Sequence, residues 1–233
     1  MLEHLERLKH LRGLEDRDAG FHAQVVRVKR WQHLRLAHTY ADLAGDTRFA
    51  PATAFFLDEL YGEKESALRD RDLIRMYPTI KRLLPPFAFD TVTSALALDV
   101  LSEEFDQALA RQLGKQPIDA ANYADAFRAA GRRDDRLRQV RLMHEVGEGL
   151  DLVVKKPLIY SALKMLRRPA KIAGLGEMQA FLEAGFTAFR HMKGAGPFLR
   201  TIEQREKKVI DALFAGREGD CPAALWPTEL RLA

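Results

Sequence analysis

The chain has a single cysteine, Cys221, among 233 residues. One thiol cannot close an internal disulfide. Within one chain it also excludes a zinc ribbon, a CxxC redox motif and a cysteine-ligated iron–sulfur cluster. β-Branched residues are scarce, with 10 valines and 7 isoleucines against 33 leucines and 32 alanines. Leucine and alanine favour helices, whereas valine and isoleucine favour strands. This balance excludes an all-β fold and argues against a doubly wound α/β fold. Long apolar runs are missing too. The longest stretch without a charged side chain is nine residues, Phe49–Leu57, and a bilayer span needs roughly 20. The opening MLEHLERLKHLRG sets charges between its leucines, so it lacks the uninterrupted apolar core of a secretory signal. Together with the lone thiol, this gives the expectation of a cytoplasmic location.

Several catalytic signatures are absent. No GxxxxGK[ST] and no GxSxG occurs. The pairs Gly174/Gly176 and Gly194/Gly196 are followed by Gln179 and Leu199, where a dinucleotide fingerprint needs its third glycine. They read as helix ends. His144-Glu145-Val146-Gly147-Glu148 carries only half of HExxH, because the second zinc-binding histidine is replaced by Glu148. The residues three positions before the seven histidines are Met1, Arg7, Ala19, Arg30, Arg35, Arg141 and Ala188. The Glu-x-x-His pair of ferritin-like di-iron bundles is therefore missing. No cofactor is predicted.

What is present is a helical pattern. Leu2, Leu5, Leu8, Leu11 and Leu14 form a slowly winding apolar stripe, read as an amphipathic helix over 1–13 followed by a charged break to 19. Three long helices are expected at 21–44, 87–113 and 132–156, the last with Gly147 and Gly149 as internal weak points. Shorter helices are expected near 51–61, 66–77, 120–130, 157–168, 177–192 and 197–215, bounded by proline, glycine and capping Asp or Ser. A turn or short helix fills 78–84. The expectation is an all-α bundle of about nine or ten helices with no sheet, forming one domain over 1–216, with an irregular tail over 217–233.

Five polar groupings stand out. In ATAFFLDELYG (52–62) the side chains of Phe55, Phe56, Leu57, Leu60 and Tyr61 point almost all round a helix. A helix apolar on every side is buried, so Asp58 and Glu59 should be partly enclosed, with Arg35, Arg69, Arg71 or Arg75 as partners. Trp31, Arg35, His38 and Asp42 follow one another by steps of four, three and four and should share a helix face. Asp99, Glu103 and Asp106 share another face. His144, Glu148 and Asp151 share a third, and Glu103, Asp106, His144 and Glu148 are the candidate ligands if a metal were held between helices. Lys155–Lys171 carries six basic residues and no acidic one, interleaved with Leu158, Ile159, Tyr160, Leu163, Met165 and Leu166. Such a segment either buries its apolar side in the core and snorkels its lysines, or lies on an anionic membrane or an acidic partner.

FFLDELYG at 55–62, with WQHLRLAHTYADL at 31–43 and RDRDLIRMYP at 69–78, resembles an uncharacterised bacterial family named after its FFLEELY motif. Asp58 stands where that name has glutamate. The resemblance implies a compact helical bacterial protein and no particular activity, and no catalytic residue can be carried over.

Charge is nearly balanced, 37 basic against 33 acidic side chains for a net +4. No helix-turn-helix or base-stacking signature accompanies it, which argues against nucleic acid as a partner. Three function classes remain. The first is a helical binding or adaptor protein with a protein partner or a second copy. The second is a small-molecule binder or enzyme built on Trp31, Arg35, His38, Asp58, Glu59 and Tyr61. The third is a carboxylate/histidine metalloprotein of heme-oxygenase-like or ferritin-like type.

Overall fold

Asp18 opens the first long helix, where its carboxylate accepts the Phe21 N–H at 3.0 Å as an N-cap does. The computed structural model describes residues 1–60, 77, 81–82 and 85–232, except the side chains of Glu59, Leu60, Pro157 and Ala162. Among those residues it shows eleven α-helices. They are α1 (Leu2–Asp16), α2 (Ala19–Thr39), α3 (Ala41–Gly45), α4 (Ala50–Phe55), α5 (Pro86–Leu113), α6 (Ala120–Ala130), α7 (Arg133–Val154), α8 (Pro157–Met165), α9 (Arg167–Ile172), α10 (Gly176–His191) and α11 (Gly196–Phe214). The protein is all-α. The expected helix over 66–77, the segment 78–84, and Arg69, Arg71 and Arg75 lie outside the described residues, apart from Tyr77, Lys81 and Arg82.

The longest helix, α5, is the hub and packs against α1, α2, α6 and α7. Its neighbours cover nearly its whole circumference, which explains why Glu103, Asp106 and Gln107 are buried along with Leu101, Phe105 and Leu109. The α1 stripe is spent inside the molecule, since Leu5, Leu8 and Leu11 are buried against Leu96 and Val100. The stripe is therefore not a free docking surface. α1 also runs through Gly13 to Asp16, past the expected stop. Glu15, one turn beyond Leu11, is anchored by Gln107 Nε2 at 2.8 Å, and the buried contact holds the extra turn in place.

Two larger cores lie side by side. One gathers Trp31, Tyr123, Phe127, Val140, Val209 and Trp226. The other gathers Leu36, Tyr40, Phe55, Phe56, Phe186 and Phe198. Gly147 and Gly149 mark where α7 meets its neighbours. A Cβ on Gly147 would lie 2.2 Å from a Leu199 methyl on α11, and one on Gly149 would lie 2.1 Å from Thr91 Oγ1 on α5. α7 runs unbroken through both glycines, which permit its close approach to α11 and α5.

Besides the longer α1, and the expected helix over 157–168 that is split into α8 and α9, the backbone departs from expectation at three further places. α2 ends at Thr39, and Tyr40 breaks the helix before the short α3. Residues Phe56–Leu60 form a π-helix, whose wider i→i+5 turn changes the direction in which each side chain leaves the axis. Phe55, Phe56 and Leu57 are buried while Asp58 is exposed, which corrects the expectation of an enclosed Asp58. The tail makes mostly turns but is part of the fold. Trp226 is buried against Trp31 and Tyr123, and Arg231–Leu232 pairs antiparallel with Ile118–Asp119. This two-residue ladder is the one departure from helix and turn among the described residues.

Candidate functional site

A cavity of about 60 Å³ opens where the two large cores meet. α2 supplies Gln32 and Arg35, the π-helical segment Phe56, α6 Tyr123, α7 Arg136 and Gln139, and α11 Glu206. The Arg35 guanidinium forks onto Glu206, with Nη1 to Oε1 at 2.7 Å and Nη2 to Oε2 at 3.0 Å. Tyr40 donates its hydroxyl to Oε1 of the same carboxylate at 2.7 Å. Burial alone would make the arginine easier to deprotonate, but the attraction of Glu206 outweighs it and pushes Arg35 upward. Arg136 is buried between two rings, 3.5 Å from the Phe105 centroid and 4.3 Å from the Phe127 centroid. Trp31 stacks on Tyr123 at 4.0 Å and so forms the back of the Tyr123 wall.

Beyond Gln32 lies a buried cluster of opposite charges. Gln32 draws both the Asp106 carboxyl and the Tyr123 phenol downward, against the effect of burial. Burial pushes the Asp106 carboxyl up to about 7, against the pull of Lys29 and with the push of Glu103. Lys29 Nζ donates to both oxygens of Glu103 at 2.9 and 3.0 Å. Burial also raises Glu103, while Lys29 draws it down. For Glu15, burial raises the carboxyl, but hydrogen bonds from Glu103 and Gln107 bring the balance below the ordinary value. Burial raises the Tyr123 phenol. α2, α5 and α6 thus carry a continuous polar seam from Lys29 to the cavity.

The sequence-predicted residues are distributed unevenly about this seam. Arg35 lines the cavity, and Trp31 stands directly behind its wall. His38 faces outward, and its Nε2 lies 2.7 Å from the Ala223 carbonyl oxygen, so it fastens the tail. Asp42 sits in α3 and pairs with Arg205 at 2.6 Å. Asp58 is exposed. The side chain of Glu59 and the whole of Tyr61 lie outside the described residues. Glu103 and Asp106 belong to the Lys29 cluster. His144 Nδ1 lies 2.8 Å from Glu203 and its Nε2 3.5 Å from Glu148. Among the described residues no group of three or more His, Cys, Asp and Glu side chains is placed to hold a metal ion.

Gln32, Tyr123, Arg136 and Glu206 were not singled out as site residues, yet two of them left a trace. Gln32 lies in phase with buried Val25, Val28 and Leu36. Arg136 precedes Val140, Met143 and Gly147 by the same helical steps. A polar residue in the phase of an apolar stripe is the readable signal of a buried polar group. Glu206 carries no such mark, because its role depends on Arg35, 171 positions away.

The segment from 155 to 172 forms the second candidate. α8 turns Ile159, Tyr160 and Leu163 inward, onto the second core. Leu158, Met165, Leu166 and Ile172 point the other way and are 82%, 78%, 53% and 88% exposed. Asp151 neutralises Lys155 and Glu183 pairs with Arg167. Lys156, Lys164, Arg168 and Lys171 make no ion pair among the described residues, and Lys164 lies over the Tyr160 ring at 4.2 Å. None of the described helices is long and apolar enough to cross a membrane.

No curated protein and no solved structure matches the chain. The model of one family, a domain of unknown function (DUF8198), matches residues 12–220, and the chain belongs to that family.

Proposed function

We propose that this protein is a non-catalytic helical binding protein that docks on anionic lipid surfaces through α8 and α9. One observation carries the reading. Four large apolar side chains stand out into solvent on a short stretch whose charges without an ion pair among the described residues are all basic. Leu158 and Met165 are seven residues apart and share a helix face. Their inward neighbours already anchor α8 to the core, so the outward ones are free to enter an interface without unfolding the segment. Each Lys or Arg near an anionic leaflet contributes about 1 kcal/mol. Insertion of an aliphatic tip adds about 25 cal/mol per Å² withdrawn from water. Neither contribution suffices alone, so association should require anionic lipid and intact aliphatic tips together. A second copy fits this face poorly, because a two-fold contact would set the same cations against themselves. A cytoplasmic location, and membership of the bacterial family named for FFLEELY, belong to the same proposal. They are supported by the lone cysteine and by FFLDELYG at 55–62.

Co-sedimentation with vesicles tests it. Vesicles of phosphatidylcholine containing about a third phosphatidylserine should pull down the protein at low salt, and pure phosphatidylcholine should not. Leu158→Asp combined with Ile172→Asp should abolish the binding while leaving circular dichroism and the melting temperature unchanged, since both side chains are exposed. If the protein stays in the supernatant with anionic vesicles at low salt, the lipid reading fails, and an acidic protein partner for this face becomes the alternative to test.

A further inference from the structure

The chain has six methionines, and the fold treats the described ones very differently. Met178 and Met192 are buried. Met143 is partly buried against both larger cores, and Met1 is partly buried against the Leu5, Leu8 and Leu11 cluster. Met165 is 78% exposed, and among the described residues it is the one exposed methionine. It ends α8, on the face that also carries Leu158. The backbone beneath it is pinned. Gln179 of α10 donates from Nε2 to the Leu163 carbonyl oxygen at 2.6 Å. Lys164 turns back over the Tyr160 ring, and Arg167 turns to Glu183. These charged neighbours fold against the body while the Met165 side chain stands clear. A chemical change at its sulfur therefore alters the surface of the segment and spares the packing under it.

We infer that Met165 is an oxidation site for hydrogen peroxide, and that its sulfoxide weakens the hold of the α8–α9 face on anionic lipid. The second half of this inference rests on the docking reading above. A lone pair of the thioether sulfur attacks one peroxide oxygen. The S–O bond forms as the O–O bond breaks, so sulfur is oxidised and peroxide reduced. The departing hydroxide takes the proton from the transferred oxygen and leaves as water. The product is a polar, chiral side chain that sulfoxide reductases return to the thioether. Withdrawing a methionine tip from water is enough to change an affinity about tenfold. A sulfoxide in its place has to shed its hydration to enter the same layer. The surrounding lysines and arginines keep their charge, so oxidation removes insertion and spares electrostatic attraction. Docking needs both, and binding weakens.

Timed exposure of the whole chain to dilute hydrogen peroxide, followed by peptide mass spectrometry, reads the site. Added oxygen should appear at Met165 well before Met143, Met178 and Met192. Each sample is then co-sedimented with phosphatidylserine-containing vesicles at low salt. Affinity should fall about tenfold in step with the Met165 sulfoxide, at unchanged circular dichroism, and methionine sulfoxide reductase with a thiol reductant should restore it. In Met165→Leu the ratio of treated to untreated binding should stay at one, whatever its starting level. Oxidation that reaches the buried methionines first overturns the inference and leaves the lipid reading standing, because no vesicle enters that measurement. A Met165 sulfoxide that binds as tightly as the thioether overturns it too. So does a fall in binding that persists in Met165→Leu or that accompanies a loss of helical signal. If the untreated protein ignores anionic vesicles, the lipid reading fails and the release from lipid fails with it.

Discussion

Two arginine–glutamate forks invite comparison. In the interior, both terminal nitrogens of Arg35 meet both oxygens of Glu206, and Tyr40 adds a third donor. On the rim, Arg167 donates from Nε and Nη2 to Glu183 with its own side chain largely in water. The hydrogen-bond pattern is nearly the same, while the surroundings are opposite. Inside, the two side chains are only 11% and 15% exposed, so little solvent can replace a lost partner. Outside, water replaces a lost partner at little cost. The same contact therefore acts as a fold constraint in one place and as a minor surface feature in the other. Mutations that separate these two roles test the distinction directly.

The largest effect is expected at Glu206. Glu206→Ala leaves the Arg35 guanidinium buried without its carboxylate, and breaking a buried pair on one side typically costs about 3–5 kcal/mol. Urea denaturation should show a loss of that size, enough to unfold a marginal domain. Replacing both partners, as Arg35→Met with Glu206→Leu, should recover most of the loss, because apolar groups of similar volume need no counter-charge. If the single substitution costs no more than an exposed one, Arg35 has another way to be satisfied and the interior fork is not a constraint.

A smaller effect, recognisable by its sign, is expected at Asp106. Its carboxyl rises from an ordinary 3.8 to about 7 in the folded protein, so the folded state holds the proton more tightly than the unfolded chain. Its contribution to stability is fully present below about pH 3.8 and is lost as pH rises through 7. Glu15 opposes this, because its lowered carboxyl contributes above its ordinary value. The total pH profile is thus a sum, and the difference between two proteins isolates the residue. Urea midpoints measured from pH 4.5 to 8.5 should show Asp106→Asn gaining on the native protein up to about pH 7 and then running parallel to it. Curves that stay parallel throughout would show that Asp106 titrates normally.

These two residues also show how far the sequence could be read. Helix positions were legible because local signals set them. Asp119 caps α6 at both Ala121 and Asn122, and Gly131, at positive φ, closes it at the expected residue. Arg35 was legible as a candidate because it shares a helix face with Trp31. Glu206 was not, because a fork across 171 residues depends on how α2 and α11 pack. Asp106 and Glu103 were read as an acidic face, yet they are buried. Helical period tells which residues share a face, while the number of neighbouring helices decides whether that face meets water. Asp58 was misread because the 3.6-residue period fails within a π-helical turn. The tail was read as irregular, and Trp226 could not announce that it would complete the aromatic wall around Trp31.

The smallest effect is expected at the rim fork, where two physical quantities point in different directions. Arg167, followed by Gln179, holds the Glu183 carboxyl down at about 2, which would suggest strong coupling. Water and salt reach Arg167 freely, and exposed pairs of this kind contribute little to folding. By linkage, any contribution from Glu183 is present above its ordinary value and lost only as pH falls toward 2. At neutral pH it should appear as an intact but dispensable contact. Arg167→Ala should leave the urea midpoint at 0.15 M salt within experimental error of the native protein, while the Glu183 titration followed by NMR moves up toward the ordinary carboxylate range. The two readouts separate local electrostatics from stability, which a denaturation experiment alone cannot do. If the midpoint falls along with the titration shift, the rim fork constrains the fold as the interior one does, and burial is not what distinguishes them.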